Sequence, residues 1–267
     1  MARISGMVSA VVLMLTMAAV PSSASQICSF WDGGCLDALA QTAASFSFRP
    51  LFLDQLTFYY GYDANSRGKG HEPMTKVSYW LNYQVHHINN SIIDSNRTLE
   101  VAMRVGNLTG TPSGSNNGCD GVWGSQCSTN LKEEIQEAIY QLSVKGEYYD
   151  DPLNTVISQL RLDPPYLRSC PPQFFDVQDF PVFEFAQEID VDKSAKLQPS
   201  GSSSNPWKTW YIDNMSDHQQ AEQVAVAIFS RGPSYNSLAL KNKDEIDLEL
   251  VCVQAPDSGS TSSHDAA

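Results

Sequence analysis

The chain has 267 residues, with 30 Asp or Glu against 17 Lys or Arg, so its formal charge is −13 at pH 7. With a pI near 4.6, this balance argues against binding nucleic acid or an anionic membrane through a basic surface. The length allows one sizeable core or two small ones, and no internal repeat of solenoid length is visible.

The first element is a leader. Arg3 precedes an apolar run from Met7 to Val20 broken only by Ser9 and Thr16, and Pro21-Ser22-Ser23-Ala24-Ser25 follows. Small residues there suit cleavage after Ala24 or Ser25, so residues 1–25 read as a secretory signal peptide. The run is shorter than the about 18 apolar residues a membrane span needs, and no other segment reaches that length. A single extracellular domain is expected over 26–255.

Its six cysteines, Cys28, Cys35, Cys119, Cys127, Cys170 and Cys252, are an even set in a secreted chain and predict three disulfides. Short spacings favour Cys28–Cys35 and Cys119–Cys127, leaving Cys170–Cys252 as a long-range staple. Asn89, Asn96, Asn107 and Asn214 head Asn-x-Ser/Thr sequons and are the expected glycosylation sites.

Strands are predicted at Leu56–Tyr60, from Val77 towards Ile88, at Leu99–Val105, Val182–Gln187, Lys208–Ile212, Val224–Phe229 and Glu245–Val253. In the second of these, Val77, Tyr79, Leu81, Tyr83 and Val85 alternate with more polar residues; in the third, Leu99, Val101, Met103 and Val105 do. Such alternation implies antiparallel sheets with one wet face. Helices interrupt them around 130–162. Leu131, Ile135, Ala138, Ile139 and Leu142 lie at helical spacing behind an Asn130/Glu133 capping box. Asp151 and Pro152 then open a second helix whose stripe is Leu153, Val156, Ile157 and Leu160. The fold class is therefore mainly β: an antiparallel β-sandwich, jelly-roll-like, with a small helical insert.

Two loops stand out. The stretch 106–130 has no periodicity and needs a disulfide to tie it down, and 193–206 reads as a flexible surface loop. The polar residues 256–267 read as a disordered tail. They resemble the spacer of a lipid-anchor signal but lack its hydrophobic end, so release from the cell is expected.

Motifs for metal or cofactor are missing. Asp63–Gly68 starts like an EF-hand loop, yet Arg67 and Met74 stand where ligands are needed. His86 and His87 point to opposite faces of a strand, and His71 has no spaced partner. Neither a nucleophile elbow nor a phosphate-cradling glycine loop is present. Trp80, Trp123, Trp207 and Trp210 are candidates for stacking on carbohydrate, Trp80 foremost because it lies opposite the apolar register of its strand.

In Glu245-Ile246-Asp247-Leu248-Glu249, alternate carboxylates share one face of a strand, while Ile246, Leu248, Leu250 and Cys252 share the other. The carboxylates read as the wet side of a terminal strand. The same five residues resemble the active-site strand of the glycoside hydrolase family 16 β-jelly rolls. That resemblance implies Glu245 as nucleophile, Asp247 as its tuning partner and Glu249 as general acid/base of a carbohydrate-active enzyme. Leader, sequons, sparse cysteines and Ser-rich tail together are similar to those of secreted proteins of filamentous fungi. The expected role is binding or interaction, through carbohydrate or protein, at a cell wall or host surface.

Overall fold

The computed structural model describes residues 27–28, 35–36, 40–49, 52–66, 74–83, 97–104, 108–146, 151–171, 174–175, 180–184, 186–189, 194–202, 205–213, 223–233 and 238–254. Residues 1–25 and 256–267, the four sequon asparagines and all three candidate histidines fall outside them.

The chain runs β1 (Ile27–Cys28), β2 (Cys35–Leu36), β3 (Ala40–Ser47), β4 (Gln55–Ser66), β5 (Met74–Asn82) and β6 (Arg97–Arg104). Three helices follow: α1 (Cys119–Trp123), α2 (Ser125–Val144) and α3 (Pro152–Leu162). The second group of strands is β7 (Val182–Glu184), β8 (Ala186–Ile189), β9 (Ser194–Leu197), β10 (Lys208–Asp213), β11 (Val224–Pro233) and β12 (Asp247–Gln254). The two main sheets each have four antiparallel strands, ordered β10-β5-β4-β3 and β12-β11-β6-β7. Two-stranded ribbons, β1-β2 and β8-β9, accompany them.

One apolar cluster is shared by the sheets. Leu56, Phe58, Tyr60, Val77, Tyr79 and Leu81 of the first meet Leu99, Val101, Met103, Ala227, Phe229 and Val251 of the second. Phe229 is its hub, with ring centroids 4.7 Å from Phe46 and 6.1 Å from both Phe48 and Phe58. The inward residues of β4, β5 and β6 are those that the alternation picks out, because period two on a pleated strand puts them on one face.

The second cluster overturns the expectation of a wet face. Val224, Val226, Ile228, Leu248, Leu250 and Cys252, on the opposite side of the second sheet, pack against Leu131, Ile135, Ile139, Leu153, Val156 and Ile157 of the helices. That sheet is thus buried on both faces, and β6 from Thr98 to Arg104 is buried without a break. Its polar members are absorbed locally: Arg104 donates through Nε to the Phe174 carbonyl at 2.9 Å and lies over the Phe174 ring.

The helical stretch is longer than expected. α1 occupies the middle of the supposedly structureless loop, and α2 starts behind Gly124 at Ser125, so Asn130 and Glu133 sit within the helix and do not cap it. Gly121 lets α1 lie flat on the preceding chain: a Cβ there would come within 2.5 Å of the Thr111 carbonyl oxygen.

Disulfide pairing also differs. Cys119 bonds Cys252 and Cys127 bonds Cys170, rather than Cys119 with Cys127 and Cys170 with Cys252. The short spacing misleads because the intervening residues are helical and rise about 1.5 Å each, carrying the two cysteines apart. Each meets a partner brought up by tertiary packing, from the closing strand β12 in one case and from the chain beyond α3 in the other. Cys28 and Cys35 are register partners in β1-β2; their side chains lie outside what is described.

The loop before β10 is also pinned. Gly201 N–H donates to the Leu81 carbonyl and Trp207 N–H to the Tyr79 carbonyl, each at 2.9 Å, which lays this segment along β5. Tyr83 Oη donates to the Gln198 carbonyl.

Candidate functional site

Each of the three carboxylates of the closing segment has partners of its own. Glu245 lies in a single 3-10 turn, Lys243–Glu245, capped by Asn242, whose side chain accepts from Asp244 N–H at 3.0 Å. The strand starts only at Asp247, so the alternation breaks at its first member. Glu245 Oε2 accepts from Lys241 N–H at 3.3 Å and lies 3.9 Å from Arg97 Nη2. Asp247 pairs with Arg231 at 3.2 Å, its register partner on β11. Burial pushes the Asp247 carboxyl above the usual range, against the pull of Arg231 and Arg97. Glu249 is held by Lys132 of α2 at 3.4 Å and by Asn117 Nδ2 at 3.3 Å. Ion pairs and turn contacts account for all three.

The tryptophans separate into different environments. Trp80 is on the outer face of its sheet, as its register requires, but is only 3% exposed. It stacks on Tyr59 with centroids 5.1 Å apart and planes 3° from parallel, and the Gly201 backbone presses on it. Trp123 is buried against Phe174, and its Nε1 donates to Ser128 Oγ at 2.9 Å. Trp210 is half-buried, edge-on to Tyr79. Trp207 is also half-buried; its Nε1 donates to the Pro199 carbonyl at 2.8 Å, and its ring stands edge-to-face with Phe183 at 5.8 Å.

Trp207 leads to the feature that sequence patterns do not signal. A cleft of about 490 Å³ opens where β7 and β10, edge strands of the two sheets, approach each other. Phe183 and Trp207 give it an aromatic wall, Glu100, Asp151 and Glu184 supply carboxyl groups, and Asn154 and Gln198 supply amides. Lys208, at the start of β10, closes the ring, with Nζ 5.4 Å from the Phe183 centroid.

Glu100 anchors the floor. It is the register partner of Glu184 on β7 and of Ser230 on β11, so the three form a polar row under the start of α3. Its Oε2 accepts from Leu153 N–H at 2.8 Å and its Oε1 from Asn154 N–H at 3.1 Å. Helix starts leave such donors without intrahelical partners, and Pro152 at the first position has no N–H to offer. A strand residue therefore caps α3. Asp151 occupies the N-cap position expected of it, but its side chain makes no capping bond to the backbone and accepts from the Asn154 side chain at 2.6 Å.

Burial is the largest influence on Glu100 and pushes its carboxyl up to about 8. The two backbone N–H groups pull it back down, while Asp151 and Glu184 raise it further. A proton is thus retained at neutral pH. Completely buried and with both oxygens engaged, Glu100 positions the helix; Glu184, Asp151 and Lys208 are the other charged groups lining the cleft among the described residues.

No protein-family model matches the chain, and no match to it was found among curated proteins or solved structures. The chemistry of the cleft is therefore the basis for a functional reading.

Proposed function

We propose that this is a secreted, glycosylated binding module on a jelly-roll-like β-sandwich, acting at a cell wall or host surface, with carbohydrate as its ligand. The observation that carries the reading is the β7/β10 cleft, where Trp207 and Phe183 stand beside Glu184, Asp151, Asn154 and Gln198. Aromatic faces stack on the C–H side of a sugar while carboxylates and amides take its hydroxyls, and the volume is in the range of small-ligand sites.

Other observations support the setting. Two disulfides fasten the helical layer, as suits an oxidising compartment. Among the described residues, no helix is long and apolar enough to cross a membrane. The charge of −13 disfavours nucleic acid as a partner.

A glycan array probed with the secreted protein tests the proposal, beside Trp207→Ala and Glu184→Gln, each checked for folding by circular dichroism. Expected are wild-type hits that both folded variants lose by about tenfold or more, the scale of one lost buried contact. Absence of any wild-type hit, or full binding by both variants, overturns it. Sequencing should find a mature N-terminus at Ser25 or Gln26, and N-glycosidase should lower the mass if the sequons are occupied.

A further inference from the structure

We infer that the Asp163–Pro164 bond is a self-cleavage site, severed in acid by the Asp163 carboxyl to give two chains held together by disulfides. This goes beyond the binding reading of the cleft and does not depend on it.

The sequence holds two Asp–Pro bonds, Asp151–Pro152 and Asp163–Pro164, one at each end of α3. An aspartyl carboxyl reaches its own main-chain carbonyl carbon through a five-membered ring, with the rate advantage of an intramolecular attack. Proline suits the leaving position because its nitrogen departs as a basic secondary amine and has no N–H to bond to the fold. In the first step the carboxyl oxygen bonds to the Asp163 carbonyl carbon and the C–N bond to Pro164 breaks. The electron pair stays on nitrogen, which takes a proton from the acidic solvent. Water then opens the cyclic anhydride, leaving two carboxyl groups on Asp163 and a new amino terminus at Pro164.

The two bonds sit in opposite settings. At the start of α3, Pro152 is buried, the Asp151 carbonyl accepts from Thr155 N–H at 3.1 Å, and the Asp151 carboxyl accepts from Asn154 Nδ2 at 2.6 Å. Nucleophile and reacting carbonyl are both engaged there. At the other end, the restriction that proline puts on its predecessor stops the helix at Leu162 and holds Asp163 at φ −134°, ψ 79°. Asp163 and Pro164 are exposed, and Leu162 and Tyr166 on either side are 89% and 86% exposed. The Asp163 N–H donates to the Gln159 carbonyl at 3.0 Å, but its carboxyl has no hydrogen bond or ion pair among the described residues. The charged side chains nearest in the chain are Arg161 and Arg168, the latter over the Tyr166 ring.

Both described disulfides cross the scissile bond: Cys119 and Cys127 precede it, and their partners Cys252 and Cys170 follow it. The second sheet also crosses it, since β11 lies between β6 and β12. The cut therefore leaves the core joined, while new carboxylates at the C-terminal end of α3 oppose the helix dipole and loosen its last turn. Acid does not disturb the Glu100 anchor beneath the start of α3, which already holds its proton in the folded state at neutral pH.

The test incubates the secreted protein at the lowest pH that preserves its near-ultraviolet dichroism, beside a sample in urea at the same pH, both with disulfides intact. Mass spectrometry before reduction should show the gain of one water, and after reduction a fragment ending at Asp163 and another beginning at Pro164. In the folded sample Asp163–Pro164 should break at least about tenfold faster than Asp151–Pro152, which reacts only when the start of α3 opens. In urea the two should break at similar rates. Asp163→Asn should abolish the outer cut, and Asp151→Asn should leave it unchanged. The proposal is overturned by an uncut Asp163–Pro164 bond in the folded sample, by equal rates at the two bonds there, or by cleavage that persists in Asp163→Asn. Fragments that separate without reductant would overturn the two-chain form.

Discussion

Replacing Glu100 by Gln separates two roles of one buried side chain. In the unfolded chain its carboxyl ionises at about 4.5, and in the folded protein at about 8. Between these values the folded state holds a proton that the unfolded state has released. Stability from this group is therefore complete below about pH 4.5, falls as pH rises and is lost by pH 8 to 9. At about 1.4 kcal/mol per pH unit of displacement, the ceiling is roughly 5 kcal/mol. Glu100→Gln does not titrate, but its amide has one acceptor oxygen where the carboxyl had two. Either Leu153 or Asn154 N–H then loses its partner, at a cost of about 1–3 kcal/mol. The variant should be less stable than wild type at pH 5, and equal or more stable at pH 9. Urea unfolding at constant ionic strength with disulfides intact measures both, and subtracting the two pH profiles cancels groups that titrate alike in each protein. A constant gap from pH 5 to pH 9 would refute the reasoning.

Non-reducing peptide mapping should recover Cys119 with Cys252 and Cys127 with Cys170; removing the second pair as a double serine variant should cost about 4 kcal/mol in chemical denaturation, given the 43-residue separation it closes. Gly201→Ala should destabilise by about 1–3 kcal/mol and alter near-ultraviolet dichroism, because the new Cβ would lie 2.6 Å from that of Trp80 and 3.0 Å from Trp207 Cδ1. Glu249→Gln should change stability by under about 1 kcal/mol, since its partner Lys132 is a partly exposed cation, and should leave glycan binding intact. Loss of binding in that variant would return the closing strand to consideration as a site.

Residues whose burial follows from local periodicity were legible. Val77, Tyr79 and Leu81 are inward on β5, and Leu131, Ile135, Ile139 and Leu142 are buried on α2. What escaped depends on a second layer. Glu100 reads as the polar alternate in a half-exposed strand, and only a helix laid across that face turns it into a buried cap. Trp80 has the outward register its sequence implies, yet chain about 120 residues later folds over it. β3 was missed because "AQTAASFS" is built of small and polar residues that carry little strand signal, and its pairing with β4 defines it. α1 was missed because its glycine reads as a loop marker, although close approach to Thr111 is what calls for glycine there. The cleft joins β6, β7, α3 and β10, elements spread from residue 97 to 213, and no local pattern spans that distance.

The bond from Cys119 to Cys252 bears on the order in which the protein matures. Synthesis releases Cys119 and Cys127 long before Cys252, when each thiol's nearest available partner along the chain is the other. The native bond spans 133 residues, whereas that between Cys127 and Cys170 spans 43. If the shorter native loop closes first, Cys127 is withdrawn from competition and Cys119 waits for the final strand. If Cys119 and Cys127 pair with each other before Cys170 is made, that local bond must be exchanged before either native disulfide can form. The last strand to emerge is thus also the one that secures the helices to the sheet.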